Sequence, residues 1–320
     1  MKNKIITILI SIYILSFSII NIILEDREIS TIERRKLTLF PNITLTSILD
    51  NSFMDRFEQY TLDQFPFRDK FLKLKTYVDY NLFKKLDSND LFTYDNHIYK
   101  LNYPLNEKEV YKFTEKVNYL YENYLNSMNV YYSVIPDKNY FLTTEDYPKI
   151  DYEKMLTIIN KEIKNLSYIN IIDSLSINDY YFTDLHWKQE NLDKIALILS
   201  KEMNFDYVSN FTFEKDYYPF YGSYYGNGFN NIPKDTIKYL YNEAILNAKV
   251  IYYEDSYNSN IYNEEQLGGL DSYNVFLNGP SPFIEIINEN ALSNKELIIF
   301  RDSFTSSLAP LLVNSYSKIS

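Results

Sequence analysis

Two histidines in 320 residues leave few places where this chain can do proton-transfer chemistry. One of them, His186, stands in "YYFTDLHWKQ" (180–189), two positions after Asp184 and directly before the only tryptophan, Trp187. In an extended segment Asp184 and His186 point to the same side. A carboxylate beside an imidazole fixes its tautomer and leaves the other ring nitrogen ready to take a proton. The amphipathic stretch "KQENLDKIALILSKEM" (188–203) puts His186 just ahead of a helix, whose positive end disfavours the imidazolium and keeps the base neutral. Such a base serves a weak nucleophile, and Ser303 fits that role. In "ELIIFRDSFTSSLAPLL" (296–312) it lies between an apolar run that reads as a strand and a helical pattern carrying Phe304, Leu308, Leu311 and Leu312 on one side. The unpaired N–H groups of a helix's first turn, with the helix dipole, stabilise an oxyanion formed beside such a serine. Asp184, His186 and Ser303 therefore have the chemistry of a nucleophilic triad. On local spacing alone, a packed histidine and an aspartate or serine that caps a helix account for the same residues equally well. Pro310 predicts a kink or restart in the last helix.

Other chemistries have little to work with. His97 lies in "LFTYDNHIYKL" (91–101), which reads as two strands around an Asp-Asn turn, and is most simply a packing or surface residue. The absence of cysteine removes disulfides, thiol nucleophiles and Cys-ligated zinc or iron–sulfur sites. Two distant histidines supply too few ligands for a metal site, and no cofactor is expected. With 32 basic against 43 acidic residues, a net charge of −11 makes nucleic acid an unsuitable partner, because that binding depends on Lys and Arg neutralising phosphates. The 33 tyrosines and 21 phenylalanines beside only 6 glycines read as a compositional bias and not as a stacking surface.

The elements that must position these residues follow from hydrophobic periodicity. Residues 27–47 read as an extended linker with Pro41 in it. From Ile48 to Lys85 helical spacing of Leu49, Phe53, Phe57 and Tyr60, then of Phe71, Leu74, Tyr77 and Val78, predicts two helices broken at Pro66. Beyond the hairpin, helical stretches at 106–125, 152–166 and 188–203 alternate with apolar runs at 129–136, 168–173, 249–255 and 296–300. Near-continuous apolar strands separated by helices predict a parallel sheet covered on both faces, with functional groups at the carboxyl ends of its strands. A hydrophobic content of 46% is ample for one large domain.

The N-terminus carries its own message. After Lys2 and Lys4, residues 5–24 contain no charge, about the 20 residues a helix needs to cross a bilayer. Glu25, Asp26 and Glu28 follow, and this asymmetry favours an N-terminus inside and the bulk of the chain outside. The run is long for a signal peptide and lacks a small-x-small cleavage site, so an uncleaved anchor at 1–24 is expected.

The segment "TDLHW" resembles the Asp-His-His-Trp signature of the DHHW family, with Leu185 in place of the first histidine. The order Asp-x-His followed downstream by Asp-Ser and a helix is similar to the SGNH-hydrolase-like domains of alginate O-acetyltransferase proteins of the bacterial periplasm. Segments "DQFPFRDKF" (63–71), "VIPDKNYF" (134–141), "FYGSYYGNG" (220–228), "YNVFLNGPSPFIEIIN" (273–288) and "IIFRDSFTSSLAPLL" (298–312) share that resemblance. It implies an α/β fold, an SGNH-hydrolase-like three-layer α/β/α domain with a parallel sheet over 105–320. A linker and helical membrane-proximal segment over 25–104 and the transmembrane anchor precede it. It also implies Ser303 as nucleophile, His186 as base and Asp184 as orienting acid, and acyl-ester chemistry on O-acetyl groups of an envelope polysaccharide, as transferase or esterase. A transferase implies a membrane-bound O-acyltransferase as partner. Arg301 departs from the glycine that precedes Asp-Ser in ordinary hydrolases of this type. For the oxyanion, Ser303 N–H is the first expected donor. Gly222 is a candidate second because glycine lets a backbone approach a substrate closely, and Asn139 or Asn278 are candidate side-chain donors. Turn chemistry accounts for all three, for Asn278 above all. The resemblance further implies that the domain continues past Ser320, so that it is incomplete here. The rival class is a non-catalytic, glycan-binding or assembly protein of the envelope on the same fold.

Overall fold

The structure, a computed structural model, describes every residue except 1, 31, 32, 34, 212, 227, 228, 230, 231, 255 and 256. Parts of four expected segments thus lie outside the described residues: 1 of the anchor, 31, 32 and 34 of the linker, 227 and 228 of the 220–228 segment, and 255 at the end of an apolar run. The chain forms two compact units, residues 1–88 with 226–230, and residues 89–225 with 231–320.

The first unit opens with a helix, Lys2–Ile23, of which Lys4–Ile23 is long and apolar enough to cross a membrane. Two further helices, Ser52–Asp63 and Arg68–Tyr77, are separated at Pro66 as their periodicity predicts. The polar stretch before them is laced down, not free. Arg35 donates to both carboxylate oxygens of buried Asp63 at 2.9 and 2.5 Å, and Thr38 N–H adds a third bond at 2.9 Å. The Arg35 bonds hold the Asp63 carboxyl well below its ordinary range against the opposing effect of burial. Gln64 reads the same stretch through Arg27 N–H, Arg27 O and Thr38 O.

The second unit carries the chemistry. Its first element is the expected hairpin, Leu91–Tyr94 paired antiparallel with His97–Lys100. Asp95 and Asn96 both have positive φ at its tip, which is what a two-residue turn of this hand requires. Helices Glu107–Leu120, Tyr152–Glu162 and Asp193–Met203 follow. Asn106 and Asp151 cap the first two by accepting from the N–H groups of Glu109 and Lys154. A hairpin, Phe213–Phe220 against Asp235–Tyr241, runs antiparallel with a bulge between Tyr217 and Phe220. The largest sheet has five strands, in the order Tyr257–Ser259, Lys249–Tyr252, Ile284–Ile287, Lys318–Ile319 and Glu296–Leu297.

This architecture is mixed α/β, with no closed barrel among the described residues, and the sheets differ from the parallel expectation. Within the five-stranded sheet only Glu296–Leu297 and Lys318–Ile319 run parallel, and the other pairs are antiparallel. A second parallel pair joins Tyr131–Tyr132 to Ser167–Tyr168. Burial explains the misreading. Along Lys249–Tyr252 and Ile284–Ile287 buried positions alternate with more exposed ones, as in strands with one well-packed face. Because the more exposed position between Val250 and Tyr252 is Ile251, the sequence there shows an unbroken apolar run where the structure has alternation, while in 284–287 Glu285 marks the alternation. Regular pairing of the run at 296–300 ends at Leu297, and Ile298 and Phe300 are 53% and 70% exposed.

The core gathers Tyr180, Trp187, Val250, Phe276, Leu311 and Ile319, all at most 3% exposed. Helix Thr305–Leu312 is enclosed all round from Ser306 onward and does not bury a single stripe. Pro310 lies inside this helix, which continues to Leu312 without a restart although the ring can donate no N–H to the turn before it.

Candidate active site

The segment 181–186 forms a tight loop closed by the antiparallel bridge between Tyr180 and Trp187 and by Tyr181 N–H on His186 O at 3.1 Å. Asp184 and His186 project from it as adjacent members of one turn. The His186 Nδ1–H donates to Asp184 Oδ1 at 2.6 Å, and the His186 backbone N–H donates to the same oxygen at 3.0 Å. The other carboxylate oxygen, Oδ2, accepts Ser223 N–H at 2.5 Å. On the far side of the ring His186 Nε2 stands 2.8 Å from Ser303 Oγ. The three residues that sequence chemistry singled out thus form one continuous hydrogen-bonded row, with the tautomer set by Asp184 and the Nε2 lone pair facing the serine hydroxyl.

Burial grades along that row. Asp184 is 1% and His186 5% exposed, while Ser303 is exposed. Burial works to raise the Asp184 carboxyl, but the charge and hydrogen bond of His186 and the N–H groups of Ser223 and His186 outweigh it and hold the carboxyl well below its ordinary range. Asp184 is therefore an anion at neutral pH, and only the outer end of the row meets solvent.

Ser303 is placed by the helix behind it. It precedes Thr305–Leu312, whose positive end faces it, and its carbonyl accepts Ser306 N–H at 3.2 Å. Asp302 Oδ1 accepts Phe304 N–H at 3.1 Å, a local bond just ahead of the helix, whose N-cap position, Phe304, has no side-chain cap bond; the Ser303 hydroxyl faces His186. Arg301 folds back over this turn and donates to Ser306 Oγ at 2.7 Å, an ion-to-hydroxyl bond that a glycine there has no means to make. The helix is fixed relative to His186 by its neighbours. The Trp187 indole N–H is shared between Phe304 O and Ser307 Oγ, both at 2.9 Å. Tyr273 OH donates to the same Ser307 Oγ at 2.8 Å while its ring stacks on the imidazole at 3.8 Å and 5°. Gln189 ties in the Ser307 carbonyl at 2.8 Å. A cavity of about 1210 Å³ opens beside these groups, with His186, Tyr273, Asn274, Arg301, Asp302 and Ser303 in its wall.

The structure places the three expected oxyanion donors elsewhere. Gly222 N–H donates to Thr183 Oγ1 at 2.9 Å. The close approach for which glycine is needed exists, but it is made to the protein itself: a Cβ on Gly222 would overlap Asp184 Cβ and the Thr183 carbonyl. That approach lets the next residue, Ser223, reach the Asp184 carboxylate. Asn139 is buried with its Nδ2 on Lys100 O at 2.7 Å. Asn278 has a left-handed φ of 52° and its Oδ1 accepts from Asn263 and Gln266, which is turn chemistry. None of the three lines the cavity.

Several residues that position the row have no role assigned from sequence: Trp187, conspicuous there only as the sole tryptophan and as part of "TDLHW", Tyr273 with Ser307, and Lys138. Lys138 is 3% exposed, and its Nζ donates to the carbonyls of Tyr181, Phe182 and Asp184 at 2.9, 3.2 and 3.0 Å. Burial pushes its pKa down to about 7, against the upward pull of Asp184 and Asp235. The available signals were a lysine after the apolar run 129–136 and serines in an otherwise apolar helix. His97, by contrast, is a packing residue: it is 4% exposed, bonds Asp95 O through Nδ1 and packs on Phe182. Among the described residues no group of three or more metal-ligating side chains occurs.

Over 73% of its length the chain superposes on 82% of a DHHW family protein from Eubacterium siraeum, with a TM-score of 0.59 and 18% identity. The fold is similar to that of a DHHW family protein. It is similar also to Bacillus cereus PatB1 with a sulfonyl adduct, with a TM-score of 0.56 and 14% identity over 73% of this chain and 85% of that one. A second structure of PatB1 gives a TM-score of 0.55 and 15% identity. No protein-family model and no curated protein matches the sequence. At these identities the likeness to the DHHW family protein and to PatB1 is one of fold, and the chemistry has to be argued from this chain's own side chains.

Proposed function

We propose that the protein is a membrane-anchored, extracytoplasmic serine acyl-ester enzyme of the DHHW type that transfers or removes O-acetyl groups on a cell-envelope polysaccharide. The observation that carries this reading is the row Asp184–His186–Ser303, closed at 2.6 and 2.8 Å. Ser303 Oγ attacks the ester carbonyl and its proton passes to His186 Nε2, while Asp184 stabilises the imidazolium. Ser303 N–H and the positive end of helix Thr305–Leu312 face the oxyanion. The intermediate collapses with cleavage of the ester C–O bond, and His186 returns the proton to the leaving oxygen. A water or a sugar hydroxyl, deprotonated by the same imidazole, then attacks the acyl-serine and restores the serine.

The exposure of Ser303 beside an open cavity suits an acceptor that is part of a polymer. The helix Lys4–Ile23 and the charges flanking it support the anchored arrangement, with a membrane-bound O-acyltransferase supplying the donor for transfer. The sulfonyl adduct of PatB1 supports the chemistry by fold likeness, since a sulfonyl electrophile is what an activated serine attacks. The test is hydrolysis of a chromogenic acetate and release of acetate from O-acetylated envelope polysaccharide by the full chain in detergent. Both activities should disappear in Ser303→Ala; turnover that survives the substitution, or its absence in the native chain, overturns the proposal. The side of the membrane is tested separately. The chain has no cysteine, so a single cysteine placed at exposed Lys112 should react with an impermeant maleimide on intact cells.

A further inference from the structure

We infer that Lys138 and Asp235 are positioning residues: together they form a buried charge clamp that holds the 181–184 backbone so that Asp184 and His186 are aligned on Ser303. The inference rests on the functional reading above, but its geometry stands apart from it.

Residues 181–184 belong to no helix or sheet, so their backbone groups need partners from elsewhere. Lys138 takes one side, with its single ammonium bridging the carbonyls of Tyr181, Phe182 and Asp184. Three acceptors match the three N–H donors of an ammonium, whereas a neutral amine has only two. Asp235 takes the other side. Its carboxylate accepts the N–H groups of Phe182 and Thr183, both at 2.8 Å, and the Thr183 hydroxyl at 2.6 Å. Asp235 is 3% exposed and comes from the start of strand Asp235–Tyr241, while Lys138 comes from the turn after Pro136, so two distant parts of the chain grip one loop. The grip extends further: Thr183 Oγ1 accepts Gly222 N–H, Thr183 O accepts Tyr224 N–H at 2.9 Å, and Phe182 O accepts Ile98 N–H at 2.8 Å.

The charges have a purpose beyond satisfying the backbone. A buried lysine is expensive unless compensated, and both carboxylates that compensate this one belong to the same assembly. Burial raises the Asp235 carboxyl, while the Thr183 hydroxyl, the N–H groups of Phe182 and Thr183 and the Lys138 charge pull it down. A positive charge arriving on His186 by proton transfer from Ser303 meets the Asp184 carboxylate that the clamp holds in place. Neither residue touches the reacting atoms.

The test uses the full chain in detergent with Lys138→Met, which keeps the stem and removes the charge, and with Asp235→Asn. Loss of alignment at an attack distance of this kind is worth about 10²-fold in rate. Each variant that keeps the native circular dichroism is expected to show kcat on a chromogenic acetate lowered about 10- to 100-fold, with KM within about twofold. The His186 Nδ1–H proton, observed by NMR with ¹⁵N-histidine, is expected well downfield of the amides in the native chain and shifted or exchange-broadened in the variants. Folded variants with native kcat and an unmoved resonance overturn the inference. Should Lys138→Met fail to fold, Thr183→Val removes the hydroxyl's bond to Asp235 together with the acceptor of Gly222 N–H at nearly constant shape and is expected to lower kcat severalfold; native kcat then overturns it. If the native chain shows no Ser303-dependent turnover, the enzymatic reading falls, and the resonance alone decides the clamp.

Discussion

Substituting Gly222 by alanine separates two readings of the "FYGS" segment: glycine as a place for substrate to approach, or glycine as a place where the protein approaches itself. A Cβ there would stand about 1 Å or more inside ordinary van der Waals contact with Asp184 Cβ and with the carbon and oxygen of the Thr183 carbonyl. Backbone cannot yield as a side-chain tip does, so the two segments must part. Overpacking of this kind costs about 1–3 kcal/mol. Separation also stretches Ser223 N–H to Asp184 Oδ2 and Gly222 N–H to Thr183 Oγ1, and a hydrogen bond to a charged group is worth about 1.5–3 kcal/mol. A total loss of roughly 2.5–6 kcal/mol follows, seen as a lower Tm. Because the strain falls on Asp184, the rate should fall further than stability alone requires, about 10²-fold in kcat at a temperature where the variant is still folded. Thermal melts by circular dichroism and esterase kinetics at that temperature make the measurement. A variant with native Tm and native kcat refutes the close approach, and a rise in KM alone would return Gly222 to the substrate side.

Asp184→Asn keeps the shape but lets the other imidazole tautomer form, and should cost on the order of 10⁴-fold in kcat with little change in KM. Ser307→Ala removes the acceptor shared by Trp187 and Tyr273 and should cost about 1–3 kcal/mol, read as a Tm lowered roughly 2–4 °C per kcal/mol. Buried His97 is pushed down to about 4 by desolvation from an ordinary 6.5. Between those values the unfolded chain binds more protons than the folded one, so stability is intact above pH 6.5 and is lost as pH falls toward 4, by up to about 3 kcal/mol. His97→Gln should flatten urea-melt stability in that window and leave the steeper loss at lower pH, where Asp63 and Asp184 are protonated.

What sequence reveals here depends on whether a residue's type or its partners carry the information. Scarcity made His186 conspicuous, and the Asp-x-His spacing and the turn before a helix drew attention to Asp184 and Ser303, which the fold brings into contact. The hairpin 91–101 and the break at Pro66 were legible because turn and proline chemistry are local. The sheet was not, since isoleucine at the more exposed position 251 hides the alternation that distinguishes antiparallel from parallel pairing. Lys138 was invisible for a different reason. Its importance lies in three carbonyls more than forty positions away, and a lysine in "VIPDK" looks like any solvated one. The same segment drew attention to the neighbouring Asn139, one residue from the side chain that reaches the site. In "FYGS" the glycine reads as a place for substrate to approach, whereas Thr183 and Asp184 stand there, and which surface approaches a glycine is a tertiary fact.

The central claim is that Ser303 is an activated nucleophile. The most direct measurement is peptide mass spectrometry of the full chain in detergent after reaction with a fluorophosphonate or a sulfonyl fluoride. The account expects one adduct, on the peptide that contains Ser303, lost in Ser303→Ala and strongly slowed in His186→Ala. An unmodified Ser303 peptide in the folded native chain, or labelling at the same rate without His186, would contradict it.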